Sequence, residues 1–181
     1  IFRGGFMVFI SFEERRRRLL SEGVFNATVD AMGGCKSLAA RESARLVLVV
    51  GESTYLAAET AYQDVKSQGN VYRKSAAIRK AAKALRDALE PGGVPEPVFL
   101  GDGQLMRAAV FDAIVGVSSS PANSAILVAA RAVLVDGLAV DAAAEAAYGE
   151  PRNIHQVRKK VEKLRDLAVR IEDAFSEKNI K

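Results

Sequence analysis

The chain has 181 residues but no tryptophan, only one cysteine and only one histidine. The lone Cys35 excludes a disulfide framework and a cysteine-rich zinc site, and it is typical of a protein in a reducing cytoplasm. The lone His155 excludes metal sites built from several histidines. No apolar run approaches the roughly 18 residues that a membrane-spanning helix requires. We therefore expect a cytoplasmic protein that holds no metal or cofactor and does not enter a membrane.

Motifs that mark common enzymes are missing as well. The sequence contains no G-x-x-x-x-G-K-[ST] phosphate-binding loop and no G-x-S-x-G nucleophile motif. Gly101-Asp102-Gly103 indicates a turn and nothing more. Because a single histidine also leaves little for acid–base chemistry, we predict that the protein is not an enzyme.

The positive charge is concentrated, although the net charge of the chain is only +4. Seven basic residues and no acidic residue lie between Val65 and Arg86. A second stretch, from Arg152 to Arg165, holds six basic residues and one acidic residue. Local basic patches on a near-neutral chain are typical of proteins that bind a polyanion, and two solvated helix faces are the alternative interpretation.

The two halves of the sequence resemble each other. When residues 24–62 are placed on residues 110–148, an offset of 86, 16 of the 39 positions are identical without a gap. Beyond that stretch we align Asn70 with Asn153 after a gap of three residues, which predicts a longer turn in the first copy. A repeat of this length indicates an internal duplication.

The duplication also predicts the domain boundaries. Residues 90–97 contain three prolines and two glycines, which cannot continue a helix and indicate a linker. The first repeat then spans 7–89 and the second spans 98–181. Each is about 80 residues long, near the lower limit for a domain that folds alone, so we expect the copies to pack on each other.

The predicted fold is mainly α-helical, because alanine is abundant and apolar residues recur at helical spacing. Gly51 and Gly137 stand where a glycine that ends a helix belongs. Ser120-Pro121 indicates the start of a helix in the second copy. The best strand candidates are the short apolar segments 7–10 and 98–100, and pairing of these two into a β-ribbon is a hypothesis.

Each copy has the layout of a helix-turn-helix. A short helix, Ser53–Tyr62 or Ala139–Tyr148, is followed by a break and by a longer basic helix. Asn70 and Asn153 are the predicted N-caps of the two basic helices. The tyrosine that ends each short helix is interpreted as a core residue that closes the bend.

The helical period divides each basic helix into an inner and an outer face. We expect Val71, Ser75 and Ile78 to point inward in the first copy. The inward stripe of the second copy begins with Ile154, Val157, Val161 and Leu164, and it continues to Phe175 as a surface between the repeats or between chains.

The outward side chains have the chemistry that recognises DNA. Arginine can donate to two acceptors of guanine, and asparagine or glutamine can pair with adenine, while further cations hold phosphates. The hydroxyls of Ser53 and Thr54 are candidate phosphate contacts. The predicted DNA-binding residues are Asn70, Tyr72, Arg73, Lys74, Arg79, Arg152, Asn153, His155, Gln156, Arg158 and Lys159.

The second copy resembles the KorA/TrfB family of plasmid transcriptional repressors. The resemblance rests on the segment from Ala130 to Gly137, an Ala-rich helix after it, and the segment from Ile154 to Val161. It implies that Gln156 is the recognition-helix glutamine, that Arg131 is the motif arginine, and that the protein represses promoters by binding an operator. The first copy departs from the pattern, with Val50 in place of the aspartate and Arg73 in place of the glutamine. A C-terminal dimerisation domain of the kind found in that family is not evident.

These observations predict a sequence-specific regulator that binds double-stranded DNA through two recognition helices. Because the two helices differ, we expect an operator that is an imperfect palindrome. The chain would act either as a monomer with an internal pseudo-two-fold axis or as a homodimer. A helical protein-binding adaptor and a non-specific architectural DNA-binding protein remain the alternatives.

Overall fold

The computed structural model describes residues 19–35, 37–101, 103–118, 121, 124–149 and 153–176. Within this part of the chain the protein is mainly helical, as predicted. The α-helices of the first half are α1 (Glu22–Ala31), α2 (Leu38–Arg45), α3 (Thr54–Tyr62) and α4 (Gln68–Leu89). The α-helices of the second half are α5 (Ala108–Val117), α6 (Ala125–Leu134), α7 (Val140–Tyr148) and α8 (Ile154–Ser176).

Serine side chains define where three helices of the first half begin. The hydroxyls of Ser21, Ser37 and Ser53 accept hydrogen bonds from backbone N–H groups three residues later, and so cap α1, α2 and α3. Helix α6 begins at Ala125, after the N-cap position Ser124. The helix start predicted at Ser120-Pro121 is therefore wrong, and Ser120 itself lies outside the described residues.

A glycine follows α2 and α6, as predicted. Helix α2 continues into a π-helical turn, Leu46–Val50, which ends where the Gly51 N–H donates to the Leu46 carbonyl. Gly51 and Gly137 have φ angles of 91° and 76°, a left-handed conformation that favours glycine. A leucine side chain also lies close to each glycine, since an added Cβ would lie 3.4 Å from Leu19 Cδ2 at the first and 3.2 Å from Leu105 Cδ2 at the second.

A two-stranded antiparallel hairpin precedes α5. Strand β1 (Phe99–Leu100) pairs with β2 (Leu105–Met106), with Phe99 opposite Met106 and Leu100 opposite Leu105. The strand predicted at 98–100 is thus present, but its partner among the described residues is the next segment along the chain. The predicted partner, residues 7–10, lies outside the described residues.

Three of the four helices in each half begin at a constant interval. Helix α5 begins 86 residues after α1 (Glu22 and Ala108), and the same interval separates α7 from α3 and α8 from α4. Five residues separate α3 from α4, and five separate α7 from α8. The longer turn predicted for the first copy is therefore wrong, because α4 begins at Gln68 rather than at Asn70.

The first helix of each half packs on the long helix of the other half. Helix α1 lies against α8, where Arg170 Nη1 is 2.8 Å from Asp30 Oδ2, and it also contacts α4. Helix α5 lies against α4, and a groove between them is lined by small side chains that include Ala81, Ala84 and Gly116. The C-terminal parts of α4 and α8 also meet, with the Arg86 guanidinium 5.7 Å from the centre of the Phe175 ring.

This arrangement produces one main hydrophobic core that both halves share. Phe25 and Val29 of α1, Leu85 of α4, Ile114 of α5 and Ile171 of α8 are all buried in it. The stripe predicted along the C-terminal helix therefore packs between the halves. Residues 91–97, which connect the halves, are exposed.

Candidate nucleic-acid interface

In the first half, three helices form a compact unit around a small apolar cluster. Helices α2, α3 and α4 pack against one another. Leu46, Ala57, Ala58 and Val71 are buried together, and Tyr62 packs against them from the end of α3. Two adjacent alanines allow α3 to approach its neighbours closely. The bend between α3 and α4 is thus closed by a tyrosine, as predicted for Tyr62.

The second half contains a corresponding unit. Helices α6, α7 and α8 pack against one another, and Ala143, Ala144 and Val157 are fully buried between them. These three residues stand 86 positions after Ala57, Ala58 and Val71. Tyr148 packs on the main core, as predicted for the tyrosine that ends α7.

The turn before α4 is closed by polar contacts. Gln63 ends α3 in the left-handed conformation, with a φ angle of 55°, and Asp64 Oδ1 accepts a hydrogen bond from the Lys66 N–H. Gln68 Nε2 donates to Thr54 Oγ1 at 3.0 Å, which ties the start of α4 to the start of α3. The Thr54 hydroxyl thus accepts from Gln68, and the Ser53 hydroxyl caps α3. Both hydroxyls predicted as phosphate contacts therefore have partners within the chain.

The first three turns of α4 and α8 carry most of the predicted DNA-binding residues on exposed faces. Val71, Ser75 and Ile78 are buried, and so are Val157, Val161 and Leu164, which confirms the predicted inner faces, with Ile154 half-buried. The exposed candidates are Asn70, Tyr72, Arg73, Arg79, His155, Gln156, Arg158 and Lys159.

Lys74 and Asn153 are less exposed than the other predicted residues that the structure describes. Lys74 is half-buried, in a groove that is also lined by Met32 and Gly34 after α1. Asn153 is half-buried immediately before α8, whereas Arg152 lies outside the described residues. Asn70 is the third residue of α4 rather than its N-cap, because the helix begins at Gln68.

Lys160, which stands 86 positions after Lys74, is also half-buried. Its side chain lines a small cavity with Lys163 and Asp30. Burial lowers the pKa of the Lys160 ammonium, and the nearby positive charge of Lys163 lowers it further. Lys74 and Lys160 thus face the ends of neighbouring helices more than they face solvent.

Several exposed cations of the two helices have no carboxylate partner in the part of the chain that the structure describes, unlike Lys83, which pairs with Asp87. Within the described ranges, Arg79, Arg158 and Lys159 form no ion pair. Exposed cations without carboxylate partners are available to bind phosphate. By contrast, the Arg131 side chain is 3.6 Å from both Asp112 and Asp136, so the motif arginine binds carboxylates within the protein.

The structure changes which residues of the two helices correspond. The buried positions of α4 recur 86 residues later in α8, so that Val71 corresponds to Val157 and Ile78 to Leu164. In this register Asn70, and not Arg73, corresponds to Gln156. The gapped alignment that paired Asn70 with Asn153 is therefore wrong.

Exposed polar residues next to these candidates were not predicted from the sequence. Lys66 and Gln68 are exposed at the start of α4, and Lys163 is exposed one turn beyond Lys159. Placing the start of α4 at Gln68 would have brought the first two into the predicted set. Lys163 belongs to the basic stretch that the sequence already marks.

In each three-helix unit, the first turn of the long helix, α4 or α8, carries exposed polar side chains, and exposed cations follow along the same helix. The described residues include no helix that is both long and apolar enough to cross a membrane. They also hold no group of three or more histidine, cysteine or carboxylate side chains arranged to bind a metal. Comparison with protein-family models, curated proteins and solved structures found no match to this chain.

Proposed function

We propose that this protein is a sequence-specific transcriptional regulator that binds double-stranded DNA through two helix-turn-helix units formed by internal duplication. The observation that carries the proposal is the placement of Asn70 and Gln156. Both are exposed at the third position of a long helix, and each helix is held by a three-helix unit. The element that follows a tight turn in such units enters the major groove with its N-terminal residues.

The side chains around these amides support contact with DNA. Arg73 and Arg158 are exposed within one turn of the amides, and the exposed Lys66, Lys159 and Lys163 lie within seven residues of them along the chain. Arginine and amide side chains discriminate base edges, whereas lysines on the same surface neutralise phosphates. Basic and amide groups together fit a duplex better than they fit an apolar protein partner.

The two recognition turns are the first turns of α4 and α8, which carry Asn70 and Gln156. Their position within one chain supports a two-part operator. Helices α4 and α8 meet near Arg86 and Phe175. At 1.5 Å per residue, Asn70 lies about 24 Å along its helix from Arg86, and Gln156 lies about 29 Å along its helix from Phe175. Arms of this length can present two recognition turns to successive major grooves, which are about 34 Å apart along one face of the duplex.

The resemblance of residues 130–161 to KorA/TrfB repressors supports repression and an origin on a plasmid or mobile element. Steric exclusion of RNA polymerase from a promoter needs only tight operator binding. The proposal therefore assigns the chain no catalytic activity. One chain on each operator is the proposed stoichiometry, because both recognition helices belong to the same chain.

Selection of binding sites from random DNA duplexes tests the proposal. We expect a family of sites with two unequal half-sites, whose affinity falls steeply with salt as phosphate-bound counterions are released. Gln156→Ala and Arg158→Ala should each cost about 1–3 kcal/mol of binding free energy at particular base pairs and leave other positions unchanged. Lys83→Ala is the matched control, since Lys83 lies further along α4 and pairs with Asp87.

Other outcomes would contradict the proposal in different ways. Equal binding to all duplexes would indicate an architectural DNA-binding protein. Absence of DNA binding at low salt would favour the protein-binding adaptor. A mass measurement of the complex that found two chains on a symmetric operator would contradict the one-chain stoichiometry.

A further inference from the structure

The two recognition turns differ in the partners of their amides, and this difference bears on the bases they would bind. The inference rests on the proposed function and names the bases for one position in each half-site. Asn70 and Gln156 correspond because the buried positions Val71 and Val157 follow them directly. The residue three positions later is Arg73 in α4 and Lys159 in α8, on the same face of the helix.

In α4 the arginine holds the amide. Arg73 Nη2 donates to Asn70 Oδ1 at 2.7 Å, and Arg73 Nε donates to the Gly69 carbonyl at 3.4 Å. The Asn70 carbonyl oxygen is therefore engaged, and its NH₂ group is the part of the amide left for a base. The remaining guanidinium N–H groups are also donors. Together, the pair presents several donors, and its one acceptor oxygen already accepts a hydrogen bond from a cation.

In α8 the amide has no such partner. Among the described residues, none donates to or accepts from the side chain of Gln156, although both Gln156 and Lys159 are exposed. Gln156 thus keeps one acceptor and one donor group side by side. A lysine at the arginine's position supplies charge without the planar fork that can hold an amide.

These two patterns match different purines. In the major groove guanine presents two acceptors, N7 and O6, whereas adenine presents the acceptor N7 beside the donor N6. We propose that the Asn70–Arg73 pair selects guanine at one position of the first half-site, and that Gln156 selects adenine at the corresponding position of the second. The imperfect symmetry of the operator then includes a guanine-for-adenine difference at this position.

Selection of duplexes with single-position variants tests this assignment. In Arg73→Lys the Asn70 oxygen is released, so the preferred base at that position should change from guanine to adenine, with a change in relative affinity of about tenfold or more. The double variant Asn70→Gln/Arg73→Lys copies the second turn into the first and should select a symmetric site. Lys83→Arg, further along α4 and paired with Asp87, should leave the preferred base unchanged.

The outcomes separate this inference from the proposed function. Guanine in the wild-type site with adenine in the Arg73→Lys site supports the inference. An unchanged preference in Arg73→Lys, or no guanine in the wild-type site, overturns it while sequence-specific binding still stands. If no variant and no wild-type protein selects any sequence, both proposals fail. Circular dichroism should be the same for all variants, because Asn70, Arg73 and Lys83 are exposed.

Discussion

The hydroxyl of Ser75 is a local defect in the inner face of α4. Ser75 is buried, and its Oγ has no hydrogen-bond partner in the part of the chain that the structure describes. Val161 occupies the corresponding position of α8 and is also buried. A buried hydroxyl without a partner costs free energy that an apolar side chain avoids.

Ser75→Ala should therefore stabilise the protein. We expect the free energy of unfolding to rise by about 1 kcal/mol, since the unpaired hydroxyl is removed and alanine favours a helix. Denaturant unfolding followed by circular dichroism measures the change. Ser43→Ala is the control, because the buried Ser43 hydroxyl donates to the Ala40 carbonyl at 3.2 Å. An equal gain in both variants would contradict the explanation from the unpaired group.

At the residue scale, the sequence predicted the inner and outer faces of the long helices well. Apolar residues at helical spacing indicate which side is buried, and Val71, Ile78, Val157 and Leu164 follow that pattern. Lys74 shows where the pattern stops being informative. Its burial comes from the segment after α1, and the period of α4 alone carries no information about that neighbour.

At the scale of elements, one arginine holds the connection between the halves. Arg107, just before α5, donates to the carbonyls of Pro97, Glu96 and Leu89, and its Nη1 lies 2.8 Å from Glu96 Oε2. Its side chain is only 11% exposed. The guanidinium therefore joins the end of α4, the connecting segment and the start of α5.

Arg107→Lys should destabilise the protein even though the charge is retained. A lysine ammonium cannot reach the same set of carbonyls in one plane, so we expect a loss of about 1–3 kcal/mol in the free energy of unfolding. Thermal unfolding of the variant measures it. Arg131→Lys serves as the control, because Arg131 is more exposed and its carboxylate contacts are 3.6 Å long. A larger loss in the control would contradict this role for Arg107.

The mainly helical character and the short helices α3 and α7 were predictable, but the start of α4 was not. The sequence Gln68-Gly69-Asn70 looks like a loop that ends in an N-cap, because glycine disfavours a helix and asparagine often precedes one. The structure extends the helix backward through these residues, where Gln68 binds Thr54 and Arg73 binds Asn70 and the Gly69 carbonyl. Those contacts depend on the folded arrangement of α3 and α4, so local propensity could not reveal them.

At the scale of the whole molecule, each half depends on the other, because the first helix of each half packs on the long helix of the other. Helix α1 packs on α8, and α5 packs on α4, so neither half encloses the main core alone. The duplication made the presence of packing between the halves predictable. The pairing of the first helix of one half with the long helix of the other was not predictable, since the apolar face of a helix does not specify its partner.

The shared core should make unfolding a single cooperative transition. We expect calorimetry to give one peak, with equal calorimetric and van't Hoff enthalpies, because the main core cannot be lost from one half alone. Two separate peaks would show that the halves unfold independently. Residues 19–90 expressed alone should lack a cooperative transition and regain one when residues 91–176 are added, whereas a cooperative transition in either fragment alone would contradict this dependence.

The packing of α1 and α5 on the long helices also has a consequence for the spacing of the two recognition turns. In the proposed regulator, the distance between the two recognition turns is set by how α1, α4, α5 and α8 pack on one another. A fixed distance of this kind fits only one separation between the half-sites, since each added base pair moves a half-site by about 3.4 Å and rotates it by roughly a tenth of a turn. Under the proposed function, the spacing of the operator is thus set by buried side chains that do not contact DNA.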